Sequence, residues 1–196
     1  MVALDKIDRK EIIIKVAQSL FGKFGLAKTT IEDIARQARM GKASIYYYFK
    51  SKESIFKEVI EKEGAELRRK IQDAVSSVET PQDKLRIYAL TRMESLKKLA
   101  NYYNAMRDEY LEHYAFIEKA RQGFDAFEVD LISRILKQGV DQGIFAIANI
   151  PLTAEAILAA IKGLEYRWTI EVPMERIREN IDVLLTILFK GIEKRA

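Results

Sequence analysis

The sequence predicts an all-α chain built from two parts. Apolar residues recur at three- and four-residue intervals along nearly its whole length, which is the spacing of a helix face. We find no internal repeat and no strand-like alternation of useful length. Pro81 and Pro151 lie near predicted helix starts, where proline is tolerated. We therefore expect an N-terminal three-helix domain over residues 1–52 and a C-terminal helical domain over residues 53–196.

The first two helices are predicted at about residues 8–24 and from residue 31 onward. Thr30 is a suitable N-cap, and Asp33 stands three residues later, in the arrangement of a capping box. Ile31, Ile34 and Ala35 follow at helical spacing. The buried side of the first helix is expected to carry Ile12, Ile13, Val16, Ala17, Leu20, Phe21 and Phe24.

A third short helix is predicted after a turn at residues 39–41. Two helices of about eight residues joined by such a turn form a helix-turn-helix, whose second helix enters the major groove of DNA. Cations and hydroxyl groups contact phosphates, and an exposed helix N-terminus contacts base edges. Residues 30–49 therefore predict a DNA-binding helix-turn-helix, although ordinary helical bundles also contain short helix pairs. The expected DNA contacts are Thr30, Arg39, Lys42, Ala43, Ser44, Tyr46, Tyr47, Lys50 and Lys52.

Positive charge is concentrated in the same part of the chain. Residues 1–50 contain ten Lys/Arg and five Asp/Glu, whereas the whole chain carries a net charge of +4. A basic excess of this size is also common on solvated surfaces. Beside the helix-turn-helix pattern, it fits a surface that attracts phosphates.

The residue types in this region resemble a known family. The run IYYYFKSKE at residues 45–53 resembles the end of the recognition helix in the TetR family of bacterial transcriptional regulators, where the pattern is Leu-Tyr-x-x-Phe-x-x-Lys. The runs FGKFG at 21–25 and TTIEDIA at 29–35 resemble the end of that family's first helix and the start of its second. The resemblance covers residues 9–60, and elsewhere it extends only to length and helical pattern. It implies a dimeric, ligand-responsive regulator of transcription.

Two residues of the turn depart from the family pattern. The family usually has glycine where this chain has Arg39, because a helix often ends with a residue at positive φ. Either Arg39 adopts that conformation or the turn differs. The family also has serine or threonine as the cap of the third helix, where this chain has Gly41, which can serve as an N-cap at a small cost.

A long fourth helix is predicted to join the two domains. It would run over residues 52–77 from a Ser51 cap, with Ile55 and Ile60 facing the first domain and Leu67 and Ile71 facing the second. Such a shared helix would link the two domains mechanically. Five more helices are expected near 81–99, 102–114, 116–142, 153–170 and 174–193, with Thr80 and Thr153 as caps and a helix end near Gly139 and Gly143.

The last two helices carry more apolar surface than one buried stripe needs. Small residues recur at three- and four-residue spacing in the first of them, and leucines in the second. Both helices could simply bury these residues within their own domain. The alternative, which the resemblance supports, is a four-helix interface with a second copy, formed by Ala156, Ala160, Gly163, Leu164, Leu184 and Leu188. A homodimer would present two recognition helices to a palindromic operator.

The middle helices are rich in tyrosine, methionine and phenylalanine. Core packing explains most of these residues, but a pocket for a flexible apolar ligand uses the same types. Arg107, Arg121 and Arg167 are candidates for pairing with an anionic end of such a ligand. The expected ligand-binding residues are Tyr102, Tyr103, Met106, Arg107, Tyr110, Phe124, Phe127, Tyr166 and Trp168.

Composition argues against other functions. The chain has no cysteine and one histidine, so we expect neither a thiolate metal site nor a histidine-based one, and no cofactor. We see no membrane span or signal peptide and expect a cytoplasmic protein. With no phosphate loop or nucleophile set, an enzyme is the least favoured interpretation. The leading hypothesis is a repressor released by a small apolar or amphipathic inducer. The alternative is a DNA-binding regulator of the same fold that a protein partner controls.

Overall fold

The computed structural model describes residues 2–99 and 115–192, and for residues 2–8, 121 and 164–171 it describes the backbone alone. Every element in this part of the chain is a helix, which confirms the all-α prediction. The helices are α1 (Val2–Lys28), α2 (Ile31–Gln37), α3 (Lys42–Tyr48), α4 (Lys52–Ser76), α5 (Pro81–Lys98), α6 (Ala115–Asp141), α7 (Ile150–Glu171) and α8 (Met174–Ile192). The helix predicted at 102–114 lies outside the described residues.

The chain forms two compact units, and the first contains the described parts of residues 1–65 and 99–120. In this unit α1 is interrupted at Gly25, whose φ of 78° is readily adopted by glycine. Phe21 of α1 packs edge-to-face against Phe56 of α4, with 5.2 Å between ring centroids. Polar contacts tie the same two helices, since Lys10 pairs with Glu58 and Gln18 donates to Glu63. The short helices α2 and α3 close this core with Ile31, Ile34, Ala35 and Ile45.

The buried side predicted for α1 is partly wrong. Ile13, Ala17 and Phe21 are buried as expected, but Ile12 and Phe24 are exposed, and Ile14 is buried instead. Ile12 lies 100° around the helix from Ile13, and Phe24 directly precedes the interruption at Gly25.

The second unit contains the described parts of residues 66–98 and 121–196. Its core is formed by the buried sides of the later part of α4 and of α5, α6, α7 and α8, including Leu67, Ile71, Tyr88, Met93, Ile132, Leu136, Ile157, Ile177 and Ile181. The predicted caps of α4 and α5 are confirmed, because the backbone N–H of Ser54 donates to Ser51 Oγ and that of Asp83 to Thr80 Oγ1. The cap predicted at Thr153 is wrong. Asn149 caps α7, and its side chain accepts from the Leu152 N–H.

Gly139 is needed for packing at the end of α6. The helix ends at Asp141, Gly143 follows it with a φ of 71°, and the chain then turns back so that Phe145 covers Gly139. A Cβ atom at position 139 would lie 2.1–2.8 Å from three ring carbons of Phe145. The predicted helix end at Gly139 and Gly143 is confirmed, and its reason is a close approach by a ring that is itself stacked on Phe189.

We expect Gly139→Ala to lower the free energy of unfolding by about 1–3 kcal/mol, because the ring of Phe145 must move to admit the methyl group. Urea denaturation followed by circular dichroism measures the change. Gly191→Ala is the matched control, since a Cβ there meets nothing within 4 Å. Equal stability of the two variants would contradict the packing argument.

Candidate nucleic-acid interface and apolar faces

Helix α2 begins with the predicted capping box. The Asp33 N–H donates to Thr30 Oγ1 at 3.1 Å, and the Thr30 N–H donates to Asp33 Oδ2 at 3.2 Å. The Thr30 hydroxyl also donates to the same carboxylate at 2.6 Å. Hydrogen bonds from Thr30 lower the pKa of the Asp33 carboxyl. Thr30 is exposed at the start of the helix-turn-helix, but its hydroxyl serves the cap.

The turn between α2 and α3 is closed by Arg39 in the left-handed region, with a φ of 54°. The Met40 N–H donates to the Ala35 carbonyl and the Arg39 N–H to the Arg36 carbonyl, which is the Schellman arrangement that usually employs glycine. Of the two alternatives for this turn, Arg39 therefore adopts the positive φ. Gly41 is the N-cap of α3, as predicted, and makes no side-chain cap bond.

Helix α3 has a buried side that anchors it and an opposite side that is exposed. Ile45 is fully buried and Phe49, just beyond the helix, is 4% exposed. The opposite side presents Lys42, Ala43, Tyr46 and Tyr47, and the two tyrosines are 49% and 67% exposed. Positions one, two, five and six of the helix share a face. Of the other predicted DNA contacts, Ser44 is half-buried on α3, and Arg39 and Lys50 are exposed on either side of this helix in the chain. The Lys52 ammonium lies 3.4 Å from the Ala27 carbonyl oxygen.

Lys42, the first residue of α3, forms an ion pair with Glu32 of α2. Hydrogen bonding to Lys42 lowers the pKa of the Glu32 carboxyl, and the same bond raises the pKa of the Lys42 ammonium. Both side chains remain about half exposed. Glu32 is not among the residues predicted from the sequence, because a contact between residues ten positions apart depends on the turn geometry.

The second unit has an apolar face on α7 and α8. The inner side of α8 is buried at Ile177, Ile181 and Leu185, yet Val183 and Ile187 on another side are 60% and 64% exposed. On α7, Leu152 is 61% exposed. Of the residues predicted at a dimer contact, Ala156, Ala160, Gly163 and Leu184 are exposed and Leu188 is half-buried, while the Leu164 side chain is not described.

An apolar groove of about 310 Å³ lies between α5, α7 and α8. It includes four of the residues predicted at the dimer contact, and none of those predicted to bind a ligand. Its lining residues are Ala89, Met93, Thr153, Ala156, Ile157, Ala160, Ile161, Ile181, Leu184, Leu185, Ile187 and Leu188.

Only two side chains of the predicted ligand site fall within the described part of the structure. Phe124 is buried and Phe127 half-buried on α6, with 5.8 Å between their ring centroids. Tyr102, Tyr103, Met106, Arg107 and Tyr110 lie outside the described residues, and the side chains of Tyr166 and Trp168 are not described.

A buried ion pair joins α5 to α6 in this unit. Arg92 Nε donates to Glu128 Oε1 at 2.6 Å, and the Tyr88 hydroxyl donates to the same oxygen at 2.6 Å. The relative exposure of Arg92 is 3%, and those of Glu128 and Tyr88 are zero. The sequence does not predict this pair, because a lone glutamate on a helix is ordinarily a surface residue.

No group of three His, Cys, Asp or Glu side chains in the described segments is arranged to hold a metal ion. None of the described helices is long and apolar enough to cross a bilayer.

Known proteins resemble this chain in both sequence and fold. Residues 13–59 match the family model described as bacterial regulatory proteins, tetR family. The chain is 38% identical over 69 residues to the HTH-type transcriptional regulator YhgD of Bacillus subtilis, an alignment that spans 35% of this chain and 36% of YhgD. It is 28% identical over 142 residues to the HTH-type transcriptional repressor KstR2 of Mycolicibacterium smegmatis, covering 70% of this chain and 67% of KstR2.

A solved structure extends the likeness to nearly the full length. The crystal structure of a transcriptional regulator from Cytophaga hutchinsonii superposes with a TM-score of 0.76 and 28% identity, covering 94% of this chain and 98% of that one. The match therefore includes the C-terminal helices as well as the helix-turn-helix.

Proposed function

Because the chain belongs to the TetR family of bacterial transcriptional regulators, which are DNA-binding proteins and not enzymes, we propose that it is a homodimeric repressor released from a palindromic operator by a small apolar or amphipathic inducer. We assign DNA binding to residues 1–52, and inducer binding and dimerisation to residues 53–196. One observation carries the proposal. Helix α3, which buried Ile45 anchors, presents Lys42, Tyr46 and Tyr47 on its exposed face.

The exposed face of α3 suits the major groove. A recognition helix contacts base edges with its N-terminal residues, while the residues at its end meet the phosphate backbone. On this basis Lys42, Ser44 and Tyr47 lie closer to base edges, and Tyr46 and Lys50 hold phosphates. Arg39 and Lys52 extend the positive charge on either side of α3. Lys42 is paired with Glu32 in the DNA-free protein, so its ammonium must exchange this carboxylate for a base edge or phosphate on binding.

Lys50 and Lys42 are expected to respond differently to substitution. Lys50→Ala should weaken binding to all DNA sequences alike and reduce the slope of log K against log salt concentration by about one, because one phosphate contact is lost. Lys42→Ala should instead relax the preference at one operator position. Fluorescence anisotropy titrations over a salt series and a set of operator variants distinguish the two effects. The reverse pattern would reject the assignment.

The dimer part of the proposal rests on the exposed apolar residues of α7 and α8. A single helix that packs only against its own domain needs one apolar stripe. Helix α8 has a second one, because Val183, Leu184 and Ile187 are exposed although Ile177, Ile181 and Leu185 already bury its inner side. Exposed apolar surface of this kind indicates an interface. A second copy of the chain would cover it.

The inducer is expected to bind among the helices between Pro81 and Trp168. Phe127 supports this placement, because its half-buried ring on α6 offers apolar surface beside the buried ring of Phe124. By linkage, a ligand that weakens operator binding by some factor must itself bind more weakly, by the same factor, when operator is saturating. The coupling is typically about 1–3 kcal/mol, or about 5- to 150-fold.

The inducer is tested by calorimetry of a ligand identified by mass spectrometry in the purified protein, with and without operator. Weaker ligand binding in the presence of operator is the expected result. Equal affinities would reject the inducer and leave control by a protein partner as the better hypothesis. A mutated operator that the protein does not bind is the control, and it should leave the ligand affinity unchanged.

A further inference from the structure

The guanidinium of Arg68 on α4 lies over two aromatic rings of α6. Its guanidinium carbon lies 5.9 Å from the ring centroid of Phe124 and 5.6 Å from that of Phe127. A glycine, Gly123, precedes these rings, and a Cβ at that position would lie 3.4 Å from Nη2 of Arg68. The side chain of Arg68 is half-buried. The arginine is therefore held by aromatic contacts at the place where α4 and α6 meet within the second unit.

The two basic residues that follow Arg68 on α4 have acidic partners. Next to it on α4, Arg69 pairs with Asp73 at 3.1 Å and Lys70 pairs with Glu66 at 2.5 Å. Within the described part of the chain, no carboxylate lies within ion-pair distance of Arg68.

The acidic residues closest in sequence to the two rings are also occupied. Asp125 accepts both hydrogen bonds from Lys162, at 2.7 and 2.8 Å, and Glu128 is bound by Arg92 and Tyr88. Each of these four carboxylates thus has a partner other than Arg68.

This arrangement matches what an amphipathic anion requires. A guanidinium that stacks on aromatic rings through its face keeps its N–H donors at its edge, and these donors fit a carboxylate with two parallel hydrogen bonds. The two rings, tilted by 35° to each other, favour the cation, and the half-buried Phe127 supplies apolar contact area for the rest of a ligand. A neutral or cationic ligand would leave the positive charge uncompensated.

We propose that Arg68 binds the anionic end of the inducer, and that the inducer is a carboxylate with an apolar body that packs on Phe124 and Phe127. This inference rests on the proposed inducer function. To the arginines expected from the sequence, Arg107, Arg121 and Arg167, it adds a residue of α4, the helix that begins two residues after Lys50. A ligand held there acts on the same helix that follows the recognition helix in the chain.

The test compares three probes with the same alkyl chain: decanoate, decanol and decyltrimethylammonium. Calorimetry on the full-length protein is expected to give an affinity for decanoate about 10- to 100-fold above that for decanol, the range for a charged hydrogen-bonded contact. Arg68→Met should reduce decanoate binding to the level of decanol and leave decanol binding unchanged. Arg68→Lys should keep part of the preference.

Arg69→Met is the matched control, because it removes a positive charge from the adjacent, exposed position. It should retain the decanoate preference, and circular dichroism should show all three variants folded. A wild-type protein that binds decanoate no better than decanol, or an Arg68→Met variant that keeps the preference, overturns the inference.

An operator-binding assay with each probe separates this inference from the proposed function. If decanol releases the protein from operator without any preference for decanoate, the inducer function stands and the role of Arg68 is rejected. If decanoate binds through Arg68 without changing operator affinity, the anion site stands and the inducer function is rejected.

Discussion

An Ile187→Asp variant is expected to sediment as a monomer at micromolar concentration and to lose most of its affinity for operator. Ile187 is 64% exposed on the apolar face of α8, so a charge there does not disturb the fold of a single chain. In the proposed dimer the same carboxylate would be buried without a partner, which costs several kcal/mol. Because about 1.4 kcal/mol is a factor of ten, the dimer dissociation constant should rise by at least about 100-fold. Ala160→Arg on α7 should have the same effect.

Thr186→Arg is the matched control for the dimer. Thr186 is also exposed on α8, but it lies 100° around the helix from Ile187 and outside the exposed apolar stripe. Sedimentation velocity and operator binding should both be unchanged in this variant. A wild-type protein that sediments as a monomer would refute the dimer, and an Ile187→Asp dimer of undiminished affinity would move the interface elsewhere on the chain.

The sequence predicted the helices well because their signals are local. Apolar spacing and the caps Thr30, Ser51 and Thr80 are read within one turn of helix, and the structure confirms all three caps. Where two local signals competed, the prediction was less accurate. Thr153 and Asn149 are both good N-caps, and the structure selects Asn149, whose side chain accepts the Leu152 N–H.

The contacts that the sequence did not reveal join residues far apart in the chain. Glu32 meets Lys42 only because Arg39 accepts a positive φ and turns α3 back toward α2. Arg68 meets Phe124 and Phe127 only because α4 and α6 pack together. Helix periodicity places a residue on a face but does not identify the neighbouring helix. The contacts of Glu32 and Arg68 are therefore ones that local spacing in the sequence could not predict.

A Glu128→Ala variant is expected to lose about 3–5 kcal/mol of unfolding free energy, because it breaks a buried ion pair by removing one partner. Arg92 and Tyr88 both direct hydrogen bonds of 2.6 Å to one oxygen of Glu128, and none of the three residues is more than 3% exposed. Without the carboxylate, the buried guanidinium and the buried hydroxyl each lose a hydrogen bond of 2.6 Å to a charged acceptor. Urea denaturation measures the change.

Two further variants separate the charge from the packing. Asp73→Ala removes the carboxylate from the exposed pair with Arg69 and should cost about 0–1 kcal/mol, since water screens that pair. The double variant Arg92→Met with Glu128→Leu should recover part of the stability, because well-packed apolar residues often replace a buried ion pair at little cost, whereas the Tyr88 hydroxyl still loses its bond to Glu128. If Glu128→Ala is no more destabilised than Asp73→Ala, the buried pair contributes nothing specific. If Glu128→Ala is strongly destabilised and the double variant recovers no stability, the hydrogen-bond geometry of the pair is what holds α5 against α6. In that case Glu128→Gln should be the mildest substitution, because it keeps an acceptor for Tyr88.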